Sequence, residues 1–194
     1  MIILGVDPGL VRTGYGAIDV GARGAQPRLV EAGIVEPNGR ESLERRLAAL
    51  FDGFREVLLA VSPEVVVIEE LYTVYRNPQT AILMGHARGV CALAAGQAGT
   101  PLRHLGHSAV KRALVGHGTA KKEQVARMVA ALLHLAEVPE PNDVSDALAL
   151  ALAYANVHQH EERLRSIDDV LTDHGYARGE RRREGARRGR GPLL

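Results

Sequence analysis

The chain has little of several things. Of its 194 residues one is cysteine, Cys91, none is tryptophan, and the aromatics are five tyrosines and two phenylalanines. One cysteine allows neither an internal disulfide nor a cysteine zinc cluster. A reducing cytoplasm is therefore the expected setting, with Cys91 read as a small buried hydrophobe. Lysine is nearly missing: Lys111, Lys121 and Lys122 are the only ones, gathered in one short stretch. No charge-free apolar run reaches the roughly 18 residues of a membrane span. The opening MIILGVDPG has no basic segment and meets an acid at Asp7, so it reads as neither signal peptide nor anchor. Net charge is small as well, since 24 Lys+Arg against 23 Asp+Glu leave +1.

That balance hides an uneven layout. Between Arg178 and Arg190 lie seven arginines and two glutamates, a tail of +5, so residues 1–177 hold 17 basic against 21 acidic residues, a body of −4. A basic tail on an acidic body keeps nucleic acid open as a partner. The tail is rich in Arg and Gly, lacks periodicity and is expected to be disordered, either a non-specific DNA tether or a solubilising extension. The length suits one large domain with a real core. The expected organisation is a folded domain over 1–160, an extension over 161–177 and the tail over 178–194.

Residues 2–6 (IILGV) form an apolar run typical of a strand covered on both faces. Asp7-Pro8-Gly9 supplies turn chemistry, and strands over 13–20 and about 28–36 complete an antiparallel meander. Ser42 is a candidate N-cap for a helix to about Ala60, with Leu43, Leu47, Leu50, Phe54, Val57 and Leu58 at helical spacing. A β-branched strand follows over 64–70, then a helix over about 78–98 and a short strand over 101–104. Helices are expected over about 107–115, 121–135 and, after Pro139 and Pro141, 143–160. Strands alternating with helices after a meander indicate a mixed α/β sheet.

Three groups of acids stand in unusual places. Asp7 ends an apolar strand, where open α/β sheets place their ligands, although Asp7-Pro8-Gly9 also suits a plain hairpin turn. Glu69 and Glu70 end a second such strand. Side chains alternate faces, so only one of the two shares a side with Asp7. Asp143 and Asp146 lie three apart, on one face of the last helix, where they also suit the helix dipole with Asn142 as cap. If these carboxylates converge, their mutual repulsion calls for a hard divalent cation. Two ions about 3.5–4 Å apart are what an in-line phosphodiester displacement uses.

The stretches IleLeuGlyValAspProGlyLeu and ThrGlyTyrGly, the strand ValIleGluGlu, the segment GlyHisAlaArgGly (85–89), Val110-Lys111, ThrAlaLysLys (119–122) and AspValSerAspAlaLeuAlaLeuAla come in that order over about residues 2–157. Together they resemble the RuvC family of Holliday junction resolvases. The resemblance implies an RNase H-like α/β fold, a five-stranded mixed sheet flanked by helices on both faces. It further implies a homodimer that cuts two opposed strands of a four-way DNA junction in recombination and repair, leaving 5′-phosphate and 3′-hydroxyl ends. The family uses Mg²⁺, two per site with Mn²⁺ as a possible substitute, and works beside a branch-migration complex of the RuvA and RuvB proteins.

Carried over by motif, the metal-binding acids are Asp7, Glu69, Asp143 and Asp146. Glu69 is preferred to Glu70 because the family's acid directly follows the apolar strand. The family's base-stacking aromatic falls on Tyr72, and Lys111 and Lys122 match its phosphate contacts. Lys121 and Arg76 are further candidate DNA contacts, since base stacking on aromatics and lysine contacts to phosphate are how such surfaces work. His107 and His117 suit either DNA contacts or ordinary surface histidines, the second being the preferred reading. Two other readings stand beside the nuclease: a junction-binding protein without catalysis, and an actin/Hsp70-like ATPase or kinase, which also begins with a strand, an Asp and a Gly-rich hairpin. That second class repeats the hairpin, and no second copy occurs here. Removing the four acids from the −4 body leaves 0, so a cation-loaded body would not repel DNA overall.

Overall fold

The computed structural model describes residues 1–21, 25–70 and 78–173. Tyr72, Tyr75, Arg76 and the tail at 178–194 lie outside the described residues. The chain divides into two compact units, Met1–Gln159 and His160–Leu194. The first holds the whole sheet.

Strands β1 (Ile2–Asp7), β2 (Thr13–Asp19) and β3 (Arg28–Val35) form the expected antiparallel meander, with Asp7 opposite Gly14. Helix α1 (Leu43–Val61) follows, then β4 (Val65–Glu69), α2 (Pro78–Gln97) and β5 (Leu102–Leu105). The strand order is β3-β2-β1-β4-β5, and β4 runs parallel to both β1 and β5. The two parallel pairings come from the crossovers through α1 and α2, which a chain needs to bring a strand back in the same direction. Helices α3 (His107–Val115), α4 (Lys122–Leu132) and α5 (Asn142–Asp173) complete the chain.

The central strands β1 and β4 are buried on both sides, as their continuous apolar runs predict, while β3 and β5 have no fully buried residue. Leu4, Val6, Val66 and Ile68 face α1 and α2, packing with Leu50, Phe54, Cys91 and Ala95. Ile3, Val65 and Val67 face the other way, into a cluster with Val110 of α3, Val129 of α4 and Leu148 and Leu152 of α5. Helix α1 starts and stops as read: Ser42 has extended backbone, and Ser62 adopts a left-handed turn with its N–H bonded to the Leu58 carbonyl at 2.9 Å. The Ser42 hydroxyl, however, makes no capping bond to the backbone and donates instead to Glu44. Leu43, read as an apolar contact, is exposed.

Helix α5 differs most from expectation. It runs on to Asp173 instead of ending near residue 160. The apolar stretch does stop there, but no Gly or Pro occurs between 142 and 173. Nothing ends the helix, and loss of an apolar face is no stop signal.

Candidate active site

Parallel pairing of β1 and β4 puts Val6 beside Ile68, so the next residues of both strands, Asp7 and Glu69, emerge side by side at the carboxyl edge of the sheet. By alternation both point to the face covered by α5, along with Ile3, Val65 and Val67. Parity therefore selects Glu69. Glu70 is exposed, and its backbone N–H bonds to the Leu105 carbonyl at 2.9 Å.

The start of α5 reaches these strand ends because β1 and β2 carry glycines beneath it. A Cβ at Gly5 would sit 1.9 Å from the Ala147 carbonyl oxygen, and one at Gly14 would sit 2.1 Å from that of Asp143. Only glycine lets the helix backbone lie this close to the strands. The first turn of α5 thus delivers Asp143 and Asp146 toward Asp7. Neither glycine was singled out in the sequence, where both read as ordinary members of strand motifs.

Asp7, Glu69 and Asp146 line a cleft of about 240 Å³. Met84, Val110, Val125 and Leu150 give it apolar walls, and Lys111, Lys122 and His107 complete it. Among the described residues, each acid except Asp7 has a hydrogen-bond or ion-pair partner. Lys122 Nζ lies 2.5 Å from Asp146, Arg12 lies 3.6 Å from Asp143, and His107 Nδ1 lies 2.9 Å from a Glu69 oxygen. Burial pushes the Asp7 carboxyl up to about 7, the charges of Asp146, Glu69 and Asp143 add to the rise, and Lys122 opposes it. All four acids are thus within electrostatic reach of one another at Asp7. Lys122, in turn, is held above the ordinary lysine range: its own burial acts downward, but the bond to Asp146 and the acid charges outweigh it. Among the described residues, no group of three or more His, Cys, Asp or Glu side chains is placed so as to hold a metal ion as it stands. The site is an open acidic cleft with two lysines on its wall.

The chain's surroundings supply supports that the sequence did not disclose. His107, read as a surface histidine, starts α3 directly against Glu69. Arg12, in the turn after β1, bridges Asp143 and Glu36. Arg88 of α2 donates to the main-chain carbonyl of Glu69. Lys121 is exposed at the α4 N-cap and does not line the cleft, and among the described residues His117 pairs locally, with Thr119 at 3.3 Å. Arg88 lies within a motif that carries the resemblance, which was the available signal, whereas Arg12 falls in the gap between two such motifs. His107 had none beyond following a short strand.

A half-buried acid cluster at the carboxyl ends of parallel strands, with lysines facing it, suits phosphate-ester chemistry. The matching family model is that of the crossover junction endodeoxyribonuclease RuvC, over residues 3–154. The chain belongs to the RuvC family. It is 41% identical over 167 residues to the crossover junction endodeoxyribonuclease RuvC of Moorella thermoacetica, covering 86% of this chain and 98% of that one. Two solved structures of Thermus thermophilus RuvC, one alone and one in complex with Holliday junction substrate, superpose with a TM-score of 0.77 at 38% identity. They cover 83% of this chain and 97% and 96% of theirs. The fold of this RuvC-family chain is RNase H-like, a five-stranded mixed sheet between helices, as the motifs implied.

Proposed function

We propose that this chain resolves four-way DNA junctions by hydrolysing phosphodiester bonds at the cleft between β1, β4 and α5. As a RuvC-family member it is a Holliday junction resolvase, a nuclease and hydrolase. The observation that supports the site reading is the meeting of Asp7, Glu69 and Asp146 in one cleft that also contains Lys111 and Lys122.

The donor set fits a hard divalent cation. Magnesium keeps several waters and needs only one or two carboxylates beside a substrate phosphate, so an open site suits it, and manganese can substitute. Asp7, Glu69, Asp143 and Asp146 would hold two such ions. When bound, they supply Lewis-acid stabilisation of charge on a phosphodiester. The chain's own residues do the rest. Lys122, now paired with Asp146, is positioned to exchange that partner for a phosphate oxygen, and Lys111 faces the same space. His107 and Arg12 orient Glu69 and Asp143. The products are 5′-phosphate and 3′-hydroxyl ends. Tyr72 and Arg76 are proposed DNA contacts by motif, and Lys121 is an outer one.

The substrate's two-fold symmetry calls for two like sites, which a homodimer with an isologous interface provides. A stripe on α2 supports this: Ile82 and Leu93 are 60% and 55% exposed, and Gly85, Gly89 and Gly96 lie between and beside them. A branch-migration complex is proposed as a partner from the family alone. Among the described residues no helix is long and apolar enough to cross a membrane, which is compatible with the cytoplasmic setting proposed.

The deciding test is incubation of a synthetic four-way junction with the full chain and Mg²⁺ or Mn²⁺. Symmetric nicks on opposed strands are expected, and Asp7→Asn should abolish them while junction binding survives. Equal cutting of linear duplex would remove junction specificity, and normal cleavage by Asp7→Asn would remove the site.

A further inference from the structure

GlyHisAlaArgGly (85–89) is part of the family resemblance, yet none of its side chains lines the cleft. Its arginine has a different engagement. Arg88 projects from α2, on the other face of the sheet from α5, and its side chain is only partly exposed. One guanidinium nitrogen donates to the Glu69 main-chain carbonyl, the last peptide oxygen of β4. The other lies 2.7 Å from Nδ1 of His104 on β5. Because arginine can only donate, His104 must accept at Nδ1, so its ring is neutral with the proton on Nε2.

We infer that Arg88 is a positioning residue for Glu69, fixing the end of β4 from behind by bridging its terminal carbonyl to β5. The inference rests on the cleavage reading above and deepens it.

At the last residue of β4 the following peptide keeps its ladder bond on the N–H side, from Glu70 to Leu105 of β5, and needs a further partner on its carbonyl side. The Glu69–Glu70 peptide is held on its N–H side by Leu105 and on its carbonyl side by Arg88. That peptide sets the backbone torsion of Glu69 and hence the direction of its Cα–Cβ bond. The carboxylate at the far end is held by His107. Glu69 is thus gripped at both ends, by α2 behind and α3 in front, while Asp7 beside it has no comparable clamp among the described residues. A fork is needed to reach two acceptors on neighbouring strands at once, which a lysine ammonium on a flexible stem does not reproduce. Displacing a reacting group by about 1 Å can reduce a rate ~100-fold.

The test compares full-length wild type, Arg88→Met and Arg88→Lys on a four-way junction. Both variants should lose ~10- to 100-fold in kcat with KM for the junction within about two-fold of wild type. The metal concentration for half-maximal cutting should rise, and Arg88→Lys should melt at the wild-type temperature. A wild-type kcat in either folded variant overturns the inference. So does a loss of cutting that merely follows a parallel loss of junction affinity and melting temperature, since that pattern belongs to a packing role. If Arg88→Met fails to fold, Arg88→Lys decides alone. Mn²⁺ binding measured by electron paramagnetic resonance without DNA separates this inference from the cleavage reading. Weaker binding by Arg88→Lys supports it even where no junction is cut, and equal binding overturns it. Failure of the wild type to nick any junction sinks the cleavage reading instead.

Discussion

Asp7 concentrates the electrostatics of this protein in one side chain. Its carboxyl is raised to about 7, first by burial and then by three neighbouring acids. The sign of the consequence follows from linkage. Without divalent metal the folded chain holds a proton on Asp7 that the unfolded chain, ionising near pH 4, releases. Stability from this group is therefore present below about pH 4 and is lost as pH rises to about 7, a cost on the order of 4 kcal/mol. Metal-free Asp7→Asn should lack this loss and melt higher than wild type at pH 8 but not at pH 4, as followed by circular dichroism. Mg²⁺ or Mn²⁺ should raise the wild-type melting point more at pH 8 than at pH 5, because the cation competes with the proton. An Asp7→Asn chain with an unchanged pH profile would show that the acid cluster does not charge the folded state.

At the scale of elements, the strands and their pairing were legible because each carries a local signal. β1 and β4 read as buried strands from their unbroken apolar runs, and Asp7-Pro8-Gly9 marked the first turn. The acids were visible for the same reason, since a carboxylate at the end of such a run breaks the pattern. Glu69 against Glu70 was not settled from the residues alone, because parity needs the partner strand's register. The end of α5 was misjudged because an apolar stripe and a helix are different things, and a helix without Gly or Pro continues. Least visible was how α5 meets the sheet. Gly5 and Gly14 read as strand residues of low propensity until the helix backbone is placed on them. Gly14→Ala would push a Cβ into the Asp143 carbonyl and move the first turn of α5. The expected result is a loss of about 1–3 kcal/mol from overpacking, seen in denaturant melts. Cleavage should fall further than stability does, since Asp143 and Asp146 move with the turn. Full activity in a stable Gly14→Ala chain would mean that this close approach does not place the acids.

At the scale of the whole molecule, α2 serves two surfaces. Its inner face packs Ala87, Cys91, Ala94 and Ala95 against the sheet, and Arg88 reaches past the edge to β4. Its outer face presents Ile82, Gly85, Gly89, Leu93 and Gly96 at helical spacing. Glycine inside a helix costs roughly 0.5–1 kcal/mol relative to alanine, and among the described residues a Cβ at any of these three would meet nothing within 4 Å. Contacts among the described residues of one copy do not account for them, whereas the proposed close approach of a second α2 would, with Ile82 and Leu93 filling the sides of the contact. The same helix would then join the dimer axis to Glu69, so that the two cleavage sites are set by one rigid element in each copy. Leu93→Glu tests this arrangement cleanly, because the residue is 55% exposed and its replacement should cost one copy at most about 0.5 kcal/mol. Sedimentation should show a shift from dimer to monomer, and junction cutting should change from paired nicks to single unlinked ones. A Leu93→Glu chain that stays dimeric and still makes paired cuts would move the interface to another face of the molecule.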